Sequence, residues 1–260
     1  MRRRVYARRE PSRRLRTLLG GVGIVAVLLI WQLCSSTGLI KPIILPSPIA
    51  IVQASGRLAA SGTLWTASWE SAQLYGIGFG IALVSGLLLG LILGWYRRAE
   101  AVLDPLLSLL YATPHLALLP LITVWFGIGI GAQIALVILI CIFPIIINTA
   151  AGVSAIDREH IRLARSLLAT NVDVLRTIAL PGAIPAVVAG IRQGLVLGLM
   201  GVVVAEYFYG NKGLGGLIFT SSLTLNTADA FVGVFMFAFA ALLLTALLRL
   251  LQKRIDRWRA

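Results

Sequence analysis

Long apolar runs separated by short charged intervals dominate the chain. Between Arg16 and Lys41 lie 24 residues without Asp, Glu, Lys or Arg; the interval 71–96 holds 26 more and 105–156 holds 52. A helix needs about 20 mostly apolar residues to cross a bilayer. The pattern therefore predicts a first span over 17–40, a second over 71–96 and two more within 105–156, with "GIGIGAQ" (127–133) as the turn between them. A fifth span is predicted from Ala183 to about Tyr207 and a sixth over roughly 230–249. In the segment 41–70, "LPSP" (45–48) bends the chain and "IAIVQASGRLAA" reads as a short amphipathic surface helix. "GNKGLGG" (210–216) reads as a turn, and "LIFTSSLTL" as a short outer helix. The fold class is all-α: a polytopic membrane protein of six transmembrane helices, with spans two to six forming a core over 71–250.

Composition agrees. Of 260 residues, 58% are hydrophobic and 13% charged, against about 25% charged in soluble domains; mean hydropathy is +0.92. Net charge is +13, but nucleic-acid binding does not follow, because the charge sits at the ends. Eight arginines lie in the tail 1–16, and five basic residues lie at or after Arg249, most of them in the C-terminal stretch 251–260. With the N-terminus inside, the inner segments 1–16, 97–104, 157–180 and the C-terminus carry 19 basic residues. The outer segments carry Lys41, Arg57 and Lys212, while Arg192 falls within span five. The positive-inside rule thus predicts both termini in the cytoplasm. "RRR" before an apolar run has the look of a signal peptide, but "WQLCSS" lacks the small-residue cleavage pattern, so an uncleaved first helix is expected. Cys34 and Cys141 sit in separate apolar runs and read as packing residues.

Two ridges of glycine at four-residue spacing, Gly86–Gly90–Gly94 and Gly190–Gly194–Gly198, predict close helix packing. No strand precedes the GxG runs and no Walker lysine follows them, so this chain is not expected to bind ATP or any other cofactor itself. HExxH, GxSxG, paired intramembrane carboxylates and Cys/His clusters of metal spacing are all missing. An enzyme and a metal site are therefore not expected, and a proton-coupled carrier lacks buried carboxylates in spans one to four.

Ionisable groups inside a membrane are costly and become functional suspects. His115, in "YATPHLALLP", lies between Pro114 and Pro120, which distort span three; it reads either as packing or as facing a solute path. Arg192 reads as snorkelling inward or as touching substrate or an interface. Glu206 ends span five, with Lys212 or an outer partner to pair with. Asn148 and Thr149 close span four and read as caps or solute contacts. Tyr111, Leu199 and Met200 complete the candidate passage.

The charged interval "DREHIRLARSLLATNVDVLRTIALPG" (157–182) reads as two short helices within a coupling segment at 152–182. In the first, Ile161, Ala164 and Leu168 form an apolar stripe and Arg158, Arg162 and Arg165 a basic one. Asn171 then reads as an N-cap with Asp173 in the first turn; a second helix runs to Leu180, and Pro181 and Pro185 mark the start of span five. Such a two-faced element fits a groove on another protein, or anionic membrane lipid, equally well.

These residues carry a resemblance. Permease subunits of ATP-binding-cassette importers share a motif of Glu-Ala-Ala, three residues, Gly, nine residues, Ile, one residue and Leu-Pro. The spacing falls on Arg162-Leu163-Ala164, Leu168, Ile178 and Leu180-Pro181, with Arg162, Leu163 and Leu168 replacing the Glu, first Ala and Gly. "LPSP" (45–48), Ser71 with "GF" (78–79), "LLPLITVWFGIG" (118–129), "FPIIINT" (143–149), "LPGAIPAVVAGIR" (180–192), "VVAE" (203–206) and "GLGGLI" (213–218) follow in order. The chain is similar to the nitrate/sulfonate/taurine branch of these permeases. The resemblance implies a homodimer in the inner membrane, two cytoplasmic ATPases that bind ATP and Mg, and a periplasmic solute-binding protein. It makes 157–182 the coupling helix and the solute a small anion such as nitrate, a sulfonate or taurine. It also marks two departures, Leu199 where many members have Trp and His115 where Pro is common. The alternative is a passive channel or secondary carrier with no ATPase partner.

Overall fold

The computed structural model describes residues 13–209 and 212–256. The basic stretch 1–12, residues 210–211 of the expected turn, and 257–260 lie outside the described residues. Among the described residues every regular element is helical: α1 (Arg13–Ser36), α2 (Pro48–Ala60), α3 (Thr63–Trp95), α4 (Arg97–Ala112), α5 (Leu119–Phe126), α6 (Ile130–Ser154), α7 (Arg158–Ser166), α8 (Asn171–Val174), α9 (Leu180–Tyr209), α10 (Gly213–Leu223) and α11 (Thr227–Asp256).

Helices α1, α3, α6, α9 and α11 are long and apolar enough to cross a membrane. The third expected span is broken. α4 meets α5 at 89° through a 3₁₀ turn, His115–Leu118. Pro114 has no N–H to continue the helix and forces Thr113 into an extended conformation (φ −68°, ψ 130°). Pro120 then sits in the first turn of α5, where a missing N–H costs nothing. The Tyr209 hydroxyl donates to Leu119 O at 2.7 Å and also meets Thr123 Oγ1 at 2.8 Å, which fastens α5 to the end of α9.

Other boundaries differ too. α3 begins at Thr63 rather than at 71, after Gly62 in the left-handed conformation (φ 79°), so Glu70 and Ser71 lie inside a helix. Gly213–Gly216 are not a turn but the first turn of α10, buried against α3, α9 and α11.

α6 is the centre of the bundle, flanked by α3 and α9. Both glycine ridges face it. A Cβ on Gly86 would lie 2.9 Å from Ile145 Cγ2, one on Gly90 2.6 Å from Thr149 Cβ, and one on Gly94 2.6 Å from Ala150 O. From the other side, a Cβ on Gly190 would lie 2.8 Å from Asn148 Cβ, one on Gly194 3.1 Å from Ile145 Cδ1 and one on Gly198 2.7 Å from Sγ of the buried Cys141. Lipid gives apolar helices little hydrophobic reason to associate, so backbone approach at small residues supplies the contact. α2 packs on α11, with Arg57 and Asp229 paired at 3.2 Å. α1 is anchored near its end, where Trp31 Nε1 donates to Pro46 O (3.0 Å) and the Trp31 ring lies 6.2 Å from Phe231 and Phe235.

Gly90→Leu is expected to wedge α3 from α6 and cost about 1–3 kcal/mol. Gly76→Ala, with nothing within 4 Å of the added carbon, is expected to be neutral or slightly stabilising. Thermal unfolding in detergent checks the pair, and equal midpoints for both variants would contradict the ridge assignment.

Candidate functional site

The charged interval folds as a helix fixed at both ends. Asp157 caps α7 by accepting from the Glu159 amide at 2.9 Å. At the other end Ala169 N–H donates to Ala164 O (3.1 Å) and Leu168 N–H to Arg165 O (3.0 Å), a Schellman closure. That closure places Leu168 at φ 63°, in the left-handed region where glycine is at ease and a leucine is strained. The expected stripe Ile161–Ala164–Leu168 is thus wrong in its last member, because the helix has already ended. Ile161 and Ala164 are half-buried, whereas Leu163, Leu167 and Leu168 are 62%, 75% and 91% exposed, beside exposed Arg162 and Arg165. Arg158 is the first residue of α7.

The second piece starts one residue earlier than expected. Thr170, not Asn171, is the N-cap, in a reciprocal capping box with Asp173. It does not stop at the prolines either. α8 passes through a π turn, Leu175–Ala179, closed by Leu180 N–H on Leu175 O, straight into α9. The wider turn accommodates Pro181, which cannot make the regular backbone bond. Val174 and Ala179 are fully buried, Ile178 is half-buried and Leu180 is exposed. α7 therefore sits at the tip of a helical segment continuous with a membrane span.

The candidate passage residues fall in separate places. Asn148 donates from Nδ2 to Pro144 O (2.8 Å) and to Gln193 Oε1 (3.3 Å), and Gln193 Nε2 donates to the Tyr111 hydroxyl (3.1 Å). This joins Tyr111 and Asn148 through a residue the sequence reading passed over. Met200 lies two turns along the same side of α9, 61% exposed. Arg192 and Leu199 instead line the groove between α9 and α11. His115 packs its ring 5.9 Å from Phe143, and its buried Nε2 has no hydrogen-bond partner. Asn148 and Thr149 do not close a span, since α6 continues to Ser154; Thr149 is fully buried against Gly90.

Glu206 makes no ion pair with Lys212 among the described residues. It is 2% exposed and accepts from Ser71 Oγ and Gly215 N–H, both at 2.8 Å. Ser71 Oγ accepts from Leu214 N–H (2.8 Å) and Glu70 from Gly213 N–H (2.7 Å). Three successive amides at the start of α10, which have no partner within their own helix, are capped by side chains of α3 and α9. Carboxylates at a helix N-terminus also complement its dipole. Beside this cap opens a cleft of about 680 Å³ lined by Glu70, Gln73, Gln133, Glu206, Tyr209 and Lys212. A search for ionisable residues within spans misses Gln73, Gln133 and Gln193; an amide inside an apolar run is the signal that finds them.

Residues 86–260 match the family described as binding-protein-dependent transport system inner membrane component. The chain belongs to that family. The matched region of this multi-pass inner-membrane component begins on the first ridge, at Gly86, and takes in both the α7 segment and the Tyr111–Gln193–Asn148 cluster. It is 40% identical over 241 residues to the aliphatic sulfonates transport permease SsuC of Escherichia coli (strain K12), covering 91% of this chain and 89% of that one. To the taurine transport system permease TauC of the same organism it is 33% identical over 256 residues, covering 96% and 92%. Its fold matches the MetNI methionine ABC transporter in inward facing conformations, with a TM-score of 0.62 at 20% identity, over 76% of this chain and 96% of that one.

Glu206→Ala is expected to cost about 1–3 kcal/mol by leaving the Gly215 amide and Ser71 without their acceptor. Glu206→Gln, which keeps an acceptor, should lose less than half as much. Unfolding midpoints together with amide exchange at 213–216 check this. Leu168→Gly should relieve roughly 1 kcal/mol of left-handed strain, read as slower amide exchange across α7; faster exchange would contradict the strain.

Proposed function

We propose that this chain is the membrane subunit of an ATP-driven importer for small organosulfonates, of the aliphatic sulfonate or taurine class, and that α7 is where a cytoplasmic ATPase drives it. The likeness to SsuC and TauC supports the solute class. The observation that carries the coupling role is the tip at α7. It presents three exposed leucines and two arginines, it is capped at both ends, and the helix that follows it, α8, continues through the π turn into α9.

In this reading the basic end of the bundle faces the cytoplasm, as the charge distribution supports. A second copy completes the passage, a periplasmic binding protein delivers the solute, and ATP and Mg are held by the ATPase pair. Closure of the ATPases displaces α7. Because α8 runs unbroken through the π turn into α9 and only the short turn 167–170 joins α7 to α8, the displacement passes to α9 rather than into a slack loop. The glycine ridge then hands it to α6, and access alternates from one face to the other. The replacement of the motif's Glu by Arg162 calls for an acidic rim on the partner cleft.

Arg162→Glu or Leu168→Asp is expected to abolish ATP hydrolysis stimulated by the loaded binding protein while the variant still inserts in the membrane. ATPase assays on the reconstituted complex, with co-purification of the ATPase on the tagged chain, measure both effects. Unchanged stimulation in both variants would remove α7 from the coupling role. Wild-type transport without any ATPase would favour a channel or secondary carrier.

A further inference from the structure

The cluster of Tyr111, Gln193 and Asn148 brings three uncharged polar side chains together from three crossings. Tyr111 ends the first arm of the broken span, Asn148 lies in α6, and Gln193 is near the middle of α9. The ridge packing builds it: a Cβ on Gly190, one turn from Gln193, would come within 2.8 Å of Asn148 Cβ.

Two observations define what it faces. The cluster is not sealed, since Tyr111 is 38% exposed, Gln193 is exposed and Asn148 half-buried. Lipid offers no partners to such groups, so at this depth they face protein or a water-filled passage. The hydrogen-bond inventory is also uneven. Both amide hydrogens of Asn148 are engaged, on Pro144 O and Gln193 Oε1. The Tyr111 hydroxyl hydrogen and the second amide hydrogen of Gln193 remain unspent, against one unspent amide acceptor, Asn148 Oδ1. Among the described residues, no charged side chain bonds to any of the three.

We propose that Tyr111 and Gln193 form an intramembrane station for an oxyanion head group. The oxygens of a sulfonate accept from the Tyr111 hydroxyl and the free Gln193 amide hydrogen, Asn148 acts as a positioning residue for that amide, and exposed Met200 faces the alkyl tail. This rests on the importer reading above. Neutral donors suit a passage better than a lysine or arginine, because they replace part of the hydration of the anion without trapping it.

The test uses the full assembly in proteoliposomes, with ethanesulfonate and taurine as probes and with uptake and ATP hydrolysis measured separately. Tyr111→Phe and Gln193→Leu are expected to lower ethanesulfonate uptake about tenfold each, while hydrolysis stimulated by the loaded binding protein persists. Gln193→Glu keeps the shape but adds a negative charge, and should impair ethanesulfonate more than taurine, whose ammonium group offsets the repulsion. Wild-type ethanesulfonate uptake in Tyr111→Phe and Gln193→Glu overturns the station. A parallel loss of uptake and hydrolysis in all three variants assigns these residues to the fold instead, and overturns it too. If the wild-type assembly moves neither probe, the sulfonate-importer reading falls and takes the station with it; if wild type and variants all move both, only the station falls.

Discussion

The close approach of α3 and α9 to opposite faces of α6 is the constraint on which the rest of the structure depends. Two glycine ridges allow backbone to meet side chain at distances a Cβ would forbid, in a solvent that offers apolar helices no advantage in leaving it. The resulting three-helix slab sets the positions of everything else. It holds Asn148 where Gln193 reaches it, buries Thr149 and Cys141 in the contact, and leaves the broken α4–α5 arm to pack on one side and α10 to close one end.

Polar caps complete what the ridges begin. At one end Glu70, Ser71 and Glu206 satisfy three backbone amides of α10, so the Glu206 carboxyl stays buried with no cationic partner among the described residues. At the other, α7 is closed by Asp157, by a Schellman turn and by the Thr170–Asp173 box of the next helix. The Schellman turn recurs at the end of α10, where Asn226 N–H bonds Ser221 O and Leu225 stands at φ 58°. In both places a leucine occupies a glycine site, so local strain is balanced by the hydrogen bonds of the turn.

Much of this was legible in the residues. Apolar run lengths marked five crossings, although α3 starts at Thr63 rather than at 71, and four-residue glycine spacing identified both ridges. What escaped reading depends on contacts between distant segments. Gly213–Gly216 look like a turn because glycine usually marks one; here the missing side chains let the start of α10 reach Glu206. The stripe through Leu168 follows helical spacing, but the spacing lapses where the Schellman bonds form. Thr170 and Asn171 are both good caps, and only the position of Asp173 decides between them. Charge marked Arg192 and Glu206 as suspects, whereas the cluster that joins three crossings turns on Gln193, whose amide carries no charge to notice.

The leucine tip of α7 has a consequence for the economy of the cell. Leu163, Leu167 and Leu168 project outside the apolar spans, largely uncovered among the described residues, and an exposed greasy patch of this sort invites chaperones, proteases and misassociation until something covers it. A copy left without its partner would therefore advertise its own incompleteness. If α7 is the coupling site proposed above, the same three side chains would keep the abundance of this subunit in step with that of the ATPase that shelters them.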